Sequence, residues 1–101
     1  MFGLERGDID AIVEILRRHR EIEKALIFGS RAKGSFKNGS DVDIALEGNA
    51  VTDGIASHVG SLLNDETMMP YKFDVLNFNT ITNPDLVDHI HRVGIVFYER
   101  V

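Results

Sequence analysis

The chain contains no cysteine and no tryptophan, and it has only two prolines. Without cysteine the protein can form neither a disulfide bond nor a thiolate zinc site, and it has no cysteine nucleophile. No apolar run approaches the roughly 20 residues that a membrane-spanning helix needs. The first ten residues include acidic side chains and no apolar segment, which is unlike a secretory signal. These absences predict a protein of the reducing cytoplasm that does not bind membranes.

Basic residues are scarce relative to acidic ones. Eleven Lys and Arg stand against sixteen Asp and Glu, so the formal net charge is -5. A protein that coats nucleic acid usually has the opposite balance, because it must neutralise phosphate groups. We therefore do not expect direct binding to nucleic acid. An acidic domain can nevertheless bind a phosphorylated substrate if metal ions supply positive charge.

The length and the apolar pattern indicate one domain over residues 1–101. A chain that is 44% hydrophobic and 27% charged has an ordinary globular composition. Apolar spacing predicts helices at residues 8–19, 54–64 and 83–92, and strands at 24–28, 41–46, 71–78 and 95–98. Residues 29–39 hold three glycines and predict a turn with a short helix. Together these segments predict a single α/β domain, but strands this short do not determine their order in a sheet.

Two aspartates alternate with an apolar residue in the predicted strand at 41–46. Residues two apart on a strand project to the same side, so Asp41 and Asp43 should lie side by side. Adjacent carboxylates repel each other, and a divalent cation such as Mg²⁺, which prefers oxygen ligands, would relieve that repulsion. The alternative for such a pair on its own is a solvated strand face with two exposed acids.

A Gly-Ser pair follows the apolar strand at 24–28. Gly29 permits close approach of the backbone, and free N–H groups at the start of a helix attract phosphate. Ser30 could cap that helix and donate its hydroxyl to a phosphate oxygen. Alone, this segment would be a capped turn. Together with the two aspartates it indicates a site for a metal-bound nucleoside triphosphate.

A third acidic residue, Asp74, interrupts the otherwise apolar run at 73–76. A lone aspartate in such a strand is disfavoured by strand propensity and by desolvation. It could face water from an edge strand. We favour a functional role in which Asp74 holds a second metal ion and activates an attacking hydroxyl.

The spacing of these residues resembles a known signature. Gly29-Ser30, ten intervening residues and then Asp41-x-Asp43 resemble the DNA polymerase β-like nucleotidyltransferases. In length and order of elements, nearly the whole chain resembles the minimal nucleotidyltransferases of that superfamily. The resemblance implies a small mixed sheet flanked by helices. It also implies a HEPN-type all-α partner, since several such pairs are toxin–antitoxin systems whose nucleotidyltransferase is the antitoxin and transfers AMP from ATP onto the HEPN protein.

The resemblance also implies roles for individual residues. Gly29 and Ser30 would bind the triphosphate of ATP or another nucleoside triphosphate. Asp41 and Asp43 would ligate two Mg²⁺ ions, with Mn²⁺ as the alternative metal. Asp74 would hold the catalytic metal and help to deprotonate the acceptor.

Four further polar residues have weaker signals. Arg31 and Lys33 follow the Gly-Ser turn, where each would either contact phosphate or lie on a solvated helix face. His89 and His91 are two apart in a predicted helix and therefore point to different sides, which makes them a poor metal pair. We expect both to be ordinary surface or interface residues.

Three functions remain open from the sequence. The first is an enzyme that transfers a nucleoside monophosphate, such as AMP from Mg-ATP, to a hydroxyl acceptor, implied by the resemblance to be a tyrosine of a HEPN partner. The second is a non-catalytic nucleotide-binding subunit that neutralises its partner by forming a complex. A third possibility, a subunit of a nucleic-acid-modifying transferase, is weakened by the negative charge.

Exposed sheet edges and the loop at Met68 and Met69 predict a homo- or hetero-oligomer.

Overall fold

A computed structural model describes residues 2–37 and 39–100. Its elements are α1 (Arg6–Arg17), β1 (Lys24–Phe28), α2 (Ser30–Lys33), β2 (Val42–Glu47), α3 (Asp53–Asp65), β3 (Phe73–Asn77), a 3₁₀ turn (Phe78–Thr80), α4 (Pro84–Val93) and β4 (Ile95–Glu99). Every helix and strand predicted from the sequence is present. Each begins within two residues of its predicted start.

Local capping explains where two of the helices begin. Helix α1 starts two residues before the predicted position, because Glu5 takes the N-cap position. Asp8 is a plausible N-cap from the sequence, but it lies instead in the first turn, where its carboxylate accepts a hydrogen bond from the Glu5 N–H at 3.1 Å. Helix α4 begins as predicted, since the Asn83 side chain accepts from the Asp85 N–H at 2.9 Å and Pro84 occupies the first turn.

The four strands form one mixed sheet, as the resemblance implied, and the structure gives their order as β3-β2-β1-β4. Strand β1 is antiparallel to both β2 and β4, whereas β2 and β3 are parallel. A parallel pair needs a crossover connection, which α3 provides here. In consequence β2 and β3 begin at the same end of the sheet, and β1 finishes at that end.

Helices cover both faces of the sheet. On one face, α1 and α3 pack against the alternate β2 residues Val42, Ile44 and Leu46. On the other face, Ile90 of α4 packs in a separate cluster that includes Ala45. The alternation of polar and apolar residues at 41–46 predicts a half-buried strand with Ala45 on its polar side. That prediction is wrong at Ala45, which is 0% exposed. Helix α4 supplies its cover.

Within residues 2–37 and 39–100, the helices lack the combination of length and apolarity needed to cross a bilayer.

Candidate active site

Two of the predicted site residues are direct neighbours across the sheet. Asp43 in β2 is in register with Asp74 in β3 and with Phe28 at the end of β1. Neighbouring strands lie about 4.8 Å apart, and residues in register point to the same face. The Asp43 and Asp74 side chains therefore project from one face of the sheet, the face that α4 covers farther along. Asp41 lies immediately before β2, and both Asp41 and Asp74 are exposed.

The charges of these aspartates act on one another. Partial burial raises the pKa of Asp43, and the negative charges of Asp74 and Asp41 raise that pKa further. Arg31 and His89 act in the opposite direction and lower that pKa. A cation between the carboxylates would relieve this repulsion, so the donor set suits a hard divalent ion such as Mg²⁺.

The acidic cluster of Asp41, Asp43 and Asp74 is not arranged as a metal site in this structure. Within the described part of the chain, no three His, Asp or Glu side chains are positioned to hold a metal ion as they stand. Ligation of one ion by Asp41, Asp43 and Asp74 would therefore require their side chains to move. Asp41 and Asp74 are exposed, so their side chains have room to do so.

The Gly-Ser turn touches the acidic cluster directly. Gly29 has a φ of 74°, a left-handed conformation that favours glycine. A Cβ at this position would overlap the Oδ2 atom of Asp43, so the turn can approach the carboxylate only without a side chain. The structure therefore brings the predicted phosphate-binding turn next to the predicted metal ligands.

Ser30 is placed differently from the prediction. It is the first residue of α2 and does not cap the helix, because Gly29 holds the N-cap position without a side-chain bond. The predicted capping role of Ser30 is wrong for that reason. Among the residues that the structure describes, its hydroxyl has no hydrogen-bond partner, which leaves it available to a ligand.

Arg31 is a buried structural residue. It is 3% exposed, so the expectation of a solvated helix face is wrong for this side chain. Its Nε and Nη2 atoms donate to the Ser40 carbonyl at 3.2 and 2.8 Å, and Nη1 donates to the Phe2 carbonyl at 2.9 Å. Since Ser40 directly precedes Asp41, the guanidinium fixes the loop that delivers Asp41 to the site.

The surroundings of Arg31 explain its burial. Its guanidinium lies over the rings of Phe36 and Tyr71, at 5.1 and 5.0 Å from their centroids. Burial and a hydrogen bond to Asp8 raise the pKa of Tyr71. Contact of Arg31 with phosphate stays a prediction. Its guanidinium nitrogens already donate to backbone carbonyls, which argues against that contact. Lys33 is exposed, as a solvated helix face requires, and its contact with phosphate likewise stays a prediction.

His89 lies beside the site, which its sequence position did not indicate. Its ring meets the ring of Phe28 edge-on, with centroids 6.4 Å apart. His91 instead packs against Phe78 at 5.4 Å, so the two histidines point to different sides of α4 as expected. The contact between His89 and Phe28 joins residues far apart in the chain, and only the packing of α4 on the sheet reveals it.

A mixed sheet with acidic residues at one end, beside a Gly-Ser turn, is the arrangement expected of a nucleotidyltransferase. Comparison with models of protein families matches residues 10–101 to the family described as Polymerase beta, Nucleotidyltransferase. The chain belongs to this family, which confirms the resemblance seen in the sequence.

Solved structures share the fold at low sequence identity. A chain in a crystal structure of a toxin-antitoxin with AMP-PNP is 17% identical, with a TM-score of 0.76 over 91% of this chain and 73% of that one. A chain in the toxin-antitoxin MntA-HepT is 14% identical, with a TM-score of 0.71 over 95% and 74%. A chain in the complex of tri-AMPylated Shewanella oneidensis HEPN toxin with MNT antitoxin is 14% identical, with a TM-score of 0.72 over 96% and 74%. Comparison with curated proteins finds no match.

Proposed function

We propose that this chain transfers AMP from Mg-ATP to a tyrosine hydroxyl of a HEPN-family partner, as the cytoplasmic antitoxin of a toxin–antitoxin pair. The observation that carries the proposal is the pairing of Asp43 with Asp74 on neighbouring strands, with the Asp43 carboxylate against the Gly29 backbone. Membership of the nucleotidyltransferase family supports the reaction type. Fold similarity to chains of HEPN–MNT complexes, one of them AMPylated, supports the partner and the transferred group.

Each site residue has a defined part in this proposal. The Gly29 backbone and the Ser30 hydroxyl bind phosphate oxygens of the triphosphate. Asp41 and Asp43 would hold two Mg²⁺ ions, and Asp74 would help to hold one of them. Bound Mg²⁺ would offset the charge that develops on the attacking and leaving oxygens.

The transfer is an in-line displacement at the α-phosphorus. The acceptor oxygen forms a bond to that phosphorus as the bond to the oxygen bridging the α- and β-phosphates breaks, and pyrophosphate leaves. The hydroxyl proton passes to the carboxylate of Asp74. Because Asp41 and Asp74 are exposed, a tyrosine on the surface of another protein can reach the reacting atoms.

Labelled ATP tests the proposal. The chain, Mg²⁺, α-labelled ATP and the proposed HEPN-family partner should yield a labelled partner and free pyrophosphate. Asp41→Ala with Asp43→Ala should abolish the label. A double variant at two exposed aspartates outside the cluster, Asp10→Ala with Asp65→Ala, should leave the label unchanged.

Two results would contradict the proposal that this chain is a transferase. Labelling that persists in the Asp41 and Asp43 double variant would show that these carboxylates are not needed. A stable complex that binds nucleotide but releases no pyrophosphate would instead support the non-catalytic subunit, in which the chain neutralises its partner by binding alone.

A further inference from the structure

One side chain of α4 reaches the end of the sheet where the acidic cluster lies. His89 is half-buried, and its ring packs edge-on against Phe28. Phe28 is the residue before Gly29 and the register partner of Asp43. The imidazole therefore lies near both the Gly-Ser turn and the carboxylates, on the face from which Asp43 projects.

The residues that the structure describes offer no hydrogen-bond partner to the ring nitrogens of His89. Within residues 2–37 and 39–100, neither forms a hydrogen bond, whereas Nδ1 of His19 bonds to the Ile15 carbonyl at 3.1 Å. An imidazole carries at least one N–H donor in both its neutral and its charged form. His89 thus presents an unused donor beside the proposed nucleotide site.

A bound triphosphate would need such a donor. Phosphate oxygens next to three carboxylates are stabilised only where cations or N–H and O–H groups face them. The Arg31 guanidinium already donates to backbone carbonyls through three of its nitrogens. His89 also lowers the pKa of Asp43, so its ring lies within electrostatic range of that carboxylate.

Building on the proposed function, we propose that His89 contacts the substrate, with its imidazole N–H donating a hydrogen bond to a phosphate oxygen of the bound nucleoside triphosphate. The ring contact with Phe28 holds the imidazole in place, and the free nitrogen faces the ligand. This gives α4 a part in binding in addition to its cover of the sheet.

Calorimetry without an acceptor measures this contact separately from transfer. His89→Phe keeps a ring against Phe28 but removes the N–H, so it should weaken binding of Mg-ATP about tenfold, equivalent to about 1.4 kcal/mol. His89→Gln keeps an N–H donor and should bind within about threefold of the wild type. His91→Phe, on the same helix but packed against Phe78, is the matched control and should bind like the wild type.

Adenosine separates a phosphate contact from a contact with the nucleoside. Its affinity should be the same for wild type and His89→Phe. The inference is overturned if His89→Phe binds Mg-ATP as well as the wild type does, if adenosine binding falls equally, or if His91→Phe is equally weak. If His89→Phe does not fold, His89→Leu compared with His89→Gln gives the same test of the donor.

These outcomes are distinct from failure of the proposed function. Wild type that binds Mg-ATP but labels no partner would refute transfer and leave the His89 contact standing. Wild type that binds no nucleotide would refute both.

Discussion

Asp43 is the site residue that contacts both the neighbouring strands and the Gly-Ser turn. Its strand neighbours are Phe28 and Asp74, and its carboxylate lies against the Gly29 backbone. Burial and the neighbouring negative charges raise its pKa. The ionised carboxylate therefore destabilises the folded protein in the absence of a cation, which is typical of a residue kept for binding rather than for stability.

The stability of an Asp43→Asn variant follows from this shift. The pKa of Asp43 in the folded protein lies above its ordinary value of 3.8. At a pH between these two pKa values, the folded protein therefore binds more protons than the unfolded chain. Stability is thus lost as the pH rises through that window. With EDTA at neutral pH, thermal unfolding should show Asp43→Asn to be more stable than the wild type, and the difference should shrink as the pH falls toward 3.8.

Added Mg²⁺ should reverse that order. A ligand that binds only the folded state stabilises it, so Mg²⁺ should raise the melting temperature of the wild type and leave Asp43→Asn nearly unchanged. Asp10→Asn, at an exposed residue outside the cluster, should behave like the wild type. A variant no more stable than the wild type in EDTA would contradict the assigned electrostatics.

At the level of single residues, the sequence predicted the acidic side chains better than their neighbours. Asp41, Asp43 and Asp74 stood out because strand alternation and an acid in an apolar run are local patterns. The partners of Arg31 and His89 were not predictable, since Ser40, Phe2 and Phe28 meet them only in the folded chain.

Helix α2 and the loop before β2 act as one positioning element. The four-residue helix starts at the Gly-Ser turn, and Arg31 ties it to Ser40 at the entrance to β2. The turn that would bind phosphate and the strand that would bind metal are therefore joined by the hydrogen bonds of a single buried guanidinium.

Arg31→Lys tests this connection while keeping the positive charge. Lysine lacks the planar fork that reaches two acceptors, so a buried carbonyl loses its partners and the folded state should lose about 2–3 kcal/mol of stability. Transfer of AMP should fall about tenfold or more, because Asp41 is no longer held in place. Chemical denaturation and the labelling assay measure the two effects.

Lys33→Ala serves as the control for stability. Lys33 lies on the same helix but is exposed, and surface substitutions usually change stability by less than about 0.5 kcal/mol. Equal stability of Arg31→Lys and wild type would show that the guanidinium bonds do not hold the loop.

The bounds of the helices and strands were predictable because each depends on local spacing and capping. Asn83-Pro84 indicated the start of α4, and apolar runs indicated β1 and β4. The burial of Ala45 was not predictable, since it results from α4 packing on a face that alternation alone predicts to be solvated. Covered faces are a property of tertiary packing rather than of the strand itself.

For the whole molecule, the order of strands creates the site. The parallel pairing of β2 with β3 through α3 puts Asp74 next to Asp43, and the antiparallel pairing of β1 with β2 brings the Gly-Ser turn to the same end. Runs this short did not determine that order from their composition. The family resemblance implied a small mixed sheet flanked by helices and the roles of these residues, but the order of the strands is known only from the structure.

The most direct test of this convergence locates the metal. In ¹⁵N-labelled protein, a small amount of Mn²⁺ should broaden the amide signals around Gly29, Asp43 and Asp74 together, through paramagnetic relaxation near one site. Excess Mg²⁺ should restore the signals, and Asp43→Asn should prevent the broadening. Broadening that spares either the turn or one of the two strands, or that centres on acidic residues elsewhere in the chain, would contradict a metal site at this end of the sheet.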